Sequence, residues 1–378
     1  MIRIREPFHG AVLNRRHGRA SEDGLAVEVR GEAPIGHPVT VRAGDGPSVR
    51  ASSCGGSFRA EVTLRDAETD IVASCAGARG KGEHRVRVVW DKASFPRYRF
   101  SIDDNSFFLR DVAKQGYKSL FDCPYLAVLK RLNARYGTKF TVNLFYATPE
   151  GDFTLARFPD RYRSEWADNA GWMRLTFHAR AEFPDRPYQY APPQTLAADI
   201  DLVAGEIRRF AGESVWVPPT VIHWGMCPEE SLPVLAARGV RALSGFFSRA
   251  GGHNYTVDGE ETQTTGRIFD VNFMLDEERS EYLSLHDALK DFESGIVFSR
   301  ADIVCNNVAP DRVVPTLEPL TRDPATAEIM DLFTHEQYFW PFYFNYRPDH
   351  EARCEAAIRF CTERGYRPVF FHEGLLGA

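Results

Sequence analysis

A handful of carboxylates and imidazoles stand at places in this 378-residue chain where they could do chemistry together: Asp103-Asp104, His178 with Glu182 four residues on, His223, Asp270, His335-Glu336 and His372-Glu373. These residue types serve two purposes. Carboxylate and imidazole together make a site for a borderline divalent cation with one position left for water, and a carboxylate and a histidine on opposite sides of a substrate make a base and an acid. No single element is specific. With 52 acidic residues in 378, chance alone yields about seven adjacent acidic pairs, and a His and a carboxylate four apart recur in most proteins of this size. Their joint position carries the signal, because nearly every one follows directly on a short β-branched or aromatic run.

Those runs define the elements that must position the residues. Up to about Trp90 the chain alternates apolar and polar residues with period two, in Leu25–Arg30, Val39–Arg42, Phe58–Arg65 and Arg85–Trp90, with Gly, Pro, Asp and Ser clusters between them. This is the pattern of an all-β sandwich with one wet face, so residues 1–94 are expected to form a small immunoglobulin-like domain. From Phe95 the rhythm changes to strand, loop and helix. Strands are predicted at Tyr98–Ile102, Thr138–Tyr146, Arg174–Phe177, Val215–Val217, Arg241–Phe246, Asp302–Cys305, Ile329–Phe333 and Pro368–Phe371, with an irregular stretch from Asp103 to Cys123. Helices are predicted at Pro124–Tyr136, Leu196–Phe210, Pro228–Arg238 and Asp349–Arg364, the last N-capped by Asp349, with Gly137, Gly239 and Gly365 as stops. Residues 95–378 thus have the length and alternation of a (β/α) barrel, whose chemistry sits on the loops after strand C-termini.

At this point the ordered motifs resemble a known family. Ser101-Ile102-Asp103-Asp104, then Thr176-Phe177-His178-x-x-x-Glu182, then Val217-Pro218-Pro219, then Leu332-Phe333-Thr334-His335-Glu336 are similar to the motifs of the polysaccharide deacetylase (NodB-homology) superfamily. That resemblance covers residues 95–378. It implies a distorted (β/α)7 barrel, a divalent metal (zinc first, with nickel, cobalt or manganese as alternatives) and hydrolysis of an N-acyl or O-acyl group on a sugar. Carried over position by position, Asp103 is the base, Asp104 and His178 are metal ligands and His335 is the acid, kept charged by a carboxylate such as Glu336 or Asp270. The chain departs from the family at Asn105-Ser106, where Gly-Pro is usual, at Glu182, where a second histidine is usual, and at Val217, where arginine is usual. The third ligand is therefore either Glu182, by motif spacing, or His223, from the loop after Pro218-Pro219; His223 is preferred because it restores an Asp-His-His set. His286, in Leu285-His286-Asp287, competes with His335 for the acid role. Trp216, Trp224, Tyr338 and Trp340 lie near the same strand ends and are candidates to stack on sugar faces.

Composition narrows the remaining classes. The chain is 43% hydrophobic and 26% charged, with mean hydropathy −0.34, which excludes a disordered or collagen-like protein. A net charge of −6 argues against nucleic acid or an anionic membrane as partner. No run of 18 apolar residues occurs, the N-terminus lacks a secretory h-region, and seven scattered cysteines without a CxxC pair suit a reduced, cytoplasmic protein. The expected partner is a small carbohydrate or amino sugar; a homo-oligomer is left open. Two other readings stay open: a carbohydrate hydrolase working with a carboxylate pair, Asp103 with Glu182 or Glu336, and a catalytically silent carbohydrate-binding protein.

Overall fold

The computed structural model describes residues 1–77, 80–247, 255–257, 260–262 and 274–377. The chain divides into two compact units: residues 1–95 with 288–295 and 376–378, and residues 96–287 with 296–375. Asp270 and His253 lie outside the described residues.

The first unit holds two five-stranded sheets. One runs Arg3–Glu6, Gly24–Glu32, Ser57–Leu64, Ser52–Cys54, with Arg19–Ser21 also on Gly24–Glu32; the other runs Val12–Leu13, Gly80–Trp90, Glu68–Gly77, Val39–Ala43, Val49–Arg50. Period-two burial is what the alternating sequence requires: Phe58, Ala60, Val62 and Leu64 are buried while Arg59 and Glu61 face out. The register of Leu25 with Leu64 and Val27 with Val62 puts apolar partners side by side on that buried face.

In the second unit the strands Met173–Ala179, Phe140–Phe145, Arg97–Asn105, Ile329–His335 and Ile303–Val304 form a parallel sheet in that order, with Arg367–Pro368 also paired to Arg97–Asn105. A separate parallel pair joins Ala242–Gly245 to Val297–Arg300. Every residue of Arg97–Asn105 is buried, as a central parallel strand covered on both faces should be. The predicted strand at Val215–Val217 makes only an isolated parallel bridge, Leu175 to Trp216. Pro124–Tyr136 is helical over the predicted span; Leu126, Leu129 and Leu132 are buried, each stabilising by about 1.5–3 kcal/mol. Gly137 ends it with φ 70°, its N–H reaching the Asn133 carbonyl.

Four local expectations need correction. The strand expected at Pro368–Phe371 is confined to Arg367–Pro368, and Phe371–Glu373 is a 3-10 turn. Part of the stretch expected to be irregular is the helix Phe107–Gln115. Residues 228–238 split into a short 3-10 turn, Glu229–Ser231, and the helix Leu232–Ala237, because Pro233 cannot donate within a longer one. Asp349 stands at the N-cap position as expected, but its carboxylate makes no cap hydrogen bond and pairs instead with Arg353 Nε at 3.0 Å.

Inside this sheet lies a charge pair that apolar strand cores seldom carry. Arg99 Nε donates to Asp331 Oδ1 at 2.8 Å, Arg99 Nη1 to Thr220 Oγ1 at 3.0 Å, and the other Asp331 oxygen accepts from Ser244 Oγ. Removing one partner of such a buried pair costs about 3–5 kcal/mol.

Candidate metal centre

Two irregularities at strand ends build the site. The pairing of Arg97–Asn105 with Phe140–Phe145 slips between Ile102 and Asn105, so that Asp103 and Asp104 together oppose Asn143. Likewise Leu144 pairs with Phe177 and Phe145 with Ala179, leaving His178 as the extra residue. Both are bulges, which re-aim side chains that a regular strand would send to alternate faces. Asp104 takes φ 60° there, a conformation Asp tolerates better than most residues. The carbonyls that the first bulge frees are met by Asn105 Nδ2, which donates to the Ile102, Asp103 and Asn143 carbonyls at 2.6, 3.2 and 3.1 Å, while Tyr125 Oη donates to Asn105 Oδ1 at 2.7 Å. Asn105 thus has work of its own at a position where the resembling family carries glycine.

His223 comes from the 3-10 turn His223–Gly225, in which Trp224 and Gly225 both have positive φ, 65° and 64°. That left-handed pair folds the chain back so that the imidazole meets the other two groups. His178 Nε2 lies 3.1 Å from Asp104 Oδ1, His223 Nδ1 lies 3.0 Å from His178 Nε2 and 3.4 Å from Asp104 Oδ1. Three buried donor atoms therefore form a nearly equilateral triangle. Ligands held at about 2.0–2.1 Å around one tetrahedral zinc stand about 3.3–3.4 Å apart, so the triangle fits a cation of that size. Phe145 packs against both imidazoles, at ring-centroid distances of 5.3 and 5.0 Å.

Electrostatics agree with a donor set dominated by one anion. Burial alone would raise the Asp104 carboxyl, but the neighbouring His335, His178 and His223 hold it well below the usual range. Burial lowers the His178 imidazole; the Asp103 charge and the Asp104 contact outweigh that and raise it. His223 is lowered, burial outweighing its contact with Asp104.

Around the triangle lies a cavity of about 320 Å³ lined by Asp103, Asp104, His178, Glu182, His223, Trp224, His335 and Tyr338, all expected at the site. Asp103 Oδ1 is fixed by Ser101 Oγ at 3.1 Å and Asn143 Nδ2 at 2.6 Å. His335 stands opposite, its Nε2 4.0 Å from Asp104 Oδ2 and its Nδ1 2.9 Å from Asn306 Oδ1. Asn306 Nδ2 donates to Asn307 Oδ1 at 2.8 Å, which makes its Oδ1 the acceptor and leaves the His335 proton on Nδ1.

Other expected residues are placed elsewhere. Glu182 stays outside the triangle: its Oε2 accepts from Gln337 Nε2 at 2.9 Å, and burial with the nearby Asp104 charge pushes its carboxyl up to about 7. Glu336 does not support His335. Its Oε2 accepts from the Ser106 and Phe107 N–H groups at 2.7 and 2.9 Å, and its Oε1 from Phe108 N–H and Trp340 Nε1 at 2.5 and 2.8 Å, so it holds the start of the helix Phe107–Gln115. Trp340 is occupied by that contact, and Trp216 lies under Arg208; neither lines the cavity. His286 stacks on Tyr282 at 3.8 Å and does not line the cavity. His372 does not line it either.

Residues that pattern reading passed over include Asn143, Phe145, Asn306, Arg99 and Asp331. Three of them carried a signal: Asn143 in Thr141-Val142-Asn143-Leu144, Arg99 between Tyr98 and Phe100, and Asp331 between Met330 and Leu332 are polar groups inside strands that must be buried.

No protein-family model matches the chain, and no curated protein matches it significantly. Among solved structures, a polysaccharide deacetylase from Bacillus cereus aligns over 66% of this chain and 89% of its own at 10% identity, TM-score 0.25. A Bacteroides fragilis protein provisionally assigned as an α-galactosidase aligns over 96% of this chain and 78% of its own, at 10% identity and TM-score 0.29. A Cellulomonas fimi endo-β-1,4-mannanase double mutant aligns over 24% of this chain but only 18% of its own, at 16% identity and TM-score 0.18. At such scores none of these likenesses decides fold or activity, and the site itself must carry the reading.

Proposed function

We propose that this protein is a divalent-cation-dependent hydrolase that removes an acyl group, N-acetyl first, from a sugar or related small substrate. In this reading residues 95–378 form a divergent, distorted (β/α)7 barrel of the NodB-homology type and residues 1–94 an immunoglobulin-like sandwich, in a cytoplasmic protein. One observation supports the reading above all others: Asp104, His178 and His223 converge on one point with Asp103 and His335 on its flanks.

A cation bound by these three residues, zinc before nickel, cobalt or manganese, supplies a Lewis acid and brings the pKa of water from about 15.7 towards 7. The protein's own groups do the rest. Asp103, one oxygen tied to Ser101 and Asn143, offers the other to accept the proton of the attacking water. His335, its Nδ1–H committed to Asn306, presents Nε2 to carry a proton to the leaving amine or alcohol. Trp224 and Tyr338 form part of the wall against which a sugar ring can stack.

The test is acetate release from a panel of acetylated sugars, with and without chelator, alongside metal analysis. About one cation per chain, lost in His178→Ala, and hydrolysis abolished by chelator are expected; a cation-free protein would sink the reading. The carboxylate-pair alternative draws on a single observation, Glu182 raised to about 7 in the same cavity as Asp103. Glycoside cleavage that persists in chelator would select it.

A further inference from the structure

The cavity does not end at the metal triangle. Arg99 lines it too, four residues before Asp103 on the same strand, hence about 13 Å along that strand at 3.3 Å per residue. Arg99 is 1% exposed. Two of its three guanidinium nitrogens are engaged, Nε by Asp331 and Nη1 by Thr220, while Nη2 makes no hydrogen bond to any described residue. The Phe371 ring covers one face of the guanidinium, 4.8 Å from its carbon, but a buried, charged nitrogen whose N–H groups meet no acceptor is an expensive arrangement unless something completes it. The cavity is also lined by the apolar Val221, Phe246, Val304 and Phe333, and Phe333 pairs with Ser101, midway along the strand from Arg99 to Asp103. Ser244, which also lines the cavity, gives its hydroxyl proton to Asp331, so its hydroxyl does not compete with Arg99 as a donor.

Resting on the hydrolase reading above, we propose that the Arg99 end of the cavity is a carboxylate subsite, so that the substrate is an N-acyl compound bearing a carboxylate separated from its scissile amide by a short apolar stretch. The chemistry selects a carboxylate over a hydroxyl. Nη2 offers charged N–H donors and no acceptor, which a carboxylate completes through a charge-assisted hydrogen bond, whereas a hydroxyl needs an acceptor for its own proton. Asp331 leaves Nη2 to another acceptor: its two oxygens are engaged by Arg99 Nε and Ser244 Oγ.

Binding of butyrate and hexanoate to the full chain, with butyramide and hexanamide as neutral counterparts, tests this by calorimetry in chelator. The carboxylates are expected to bind at least tenfold tighter than their amides, Arg99→Gln to bring that ratio to about one, and Asp331→Asn to raise it severalfold by removing the competing charge. Equal binding of acid and amide, an unchanged ratio in folded Arg99→Gln, or carboxylate binding that requires added zinc would overturn the subsite. Should Arg99→Gln not fold, Asp331→Asn decides: a higher ratio supports the proposal and an unchanged or lower one defeats it. Turnover in zinc then separates the two sources of the carboxylate, since preference for an N-glutaryl amine places it on the acyl chain and preference for an N-acetyl ω-amino acid such as N-acetyl-6-aminohexanoate places it on the amine. Absence of all hydrolysis with the acid-to-amide ratio intact would refute the catalytic reading and leave the subsite standing.

Discussion

Asp103 and Asp104 are adjacent, chemically identical and given different tasks by what surrounds them. Asp104 meets two imidazoles and turns its second oxygen towards a third; Asp103 meets a hydroxyl and an amide. Replacing each by Asn should therefore separate two properties. Asp103→Asn is expected to lower kcat by about 10²–10⁴ while one cation per chain is retained, since general-base assistance is worth that much; Asp104→Asn is expected to lose the cation as well. Metal analysis beside acetate-release kinetics reads both, and equal cation loss in the two variants would contradict the division. Glu182 makes a pH prediction at the same scale. Its carboxyl is raised from an ordinary 4.5 to about 7, burial first and the Asp104 charge second. The folded protein then holds a proton that the unfolded chain has released, so this group's contribution to stability is full below pH 4.5 and is lost as pH rises to about 7. Urea unfolding from pH 4 to 8 should fall more steeply in that window for the wild type than for Glu182→Gln.

At the scale of elements, the site depends on where strands stop and how their ends are tied together. Glu336 is the main tie: from the end of Ile329–His335 it reaches the first three N–H groups after Asn105, where a helix start carries unsatisfied donors and partial positive charge. In Glu336→Gln an amide NH2 must face at least one of those donors, and hydrogen bonds to a charged acceptor are lost. About 2–4 kcal/mol of stability should go with them, and cation affinity should fall because His335 and the Asp103-Asp104 bulge are no longer held in register. Urea denaturation and a zinc titration measure the two effects; an unperturbed variant would show that the tie is dispensable. This same residue marks what the sequence leaves out. His335-Glu336 reads as an acid with its carboxylate, because adjacency in sequence suggests cooperation, yet side chains of neighbouring residues in an extended segment point to opposite faces. Only knowing that a helix begins at Phe107 would have redirected Glu336, and Ser106, though a favourable N-cap residue, does not by itself say which distant carboxylate meets that helix start. The bulges were equally hidden, since one extra residue in a strand leaves no trace in its hydrophobic pattern. What was legible is the order of strands and the presence of polar residues just after them, because burial on both faces imposes apolar runs and any charge that interrupts or ends one stands out. His223 was preferred over Glu182 as partner of Asp104 and His178 on donor chemistry, and the three do come together.

For the molecule as a whole, the cation and the fold should be one thermodynamic system. The triangle draws its three members from segments 45 and 74 residues apart, so it exists only when the parallel sheet is assembled, and the unfolded chain offers no comparable site. A ligand that binds only the folded state stabilises it by RT ln(1 + [L]/Kd), about 2.7 kcal/mol at a free concentration one hundred times Kd. For a folding unit of this size that amounts to a Tm increase of roughly 5–10 °C. Zinc added to chelator-stripped protein should therefore raise Tm by that amount and continue to raise it with the logarithm of concentration, whereas magnesium, which prefers oxygen ligands and gives up its water reluctantly, should do little. His178→Ala should start from a Tm near that of stripped wild type and fail to respond. A wild-type Tm that ignores zinc, or a variant that responds as the wild type does, would mean that Asp104, His178 and His223 meet only as a hydrogen-bonded core cluster; the carboxylate at Arg99 would then have to be explained without a reaction at the other end of its cavity.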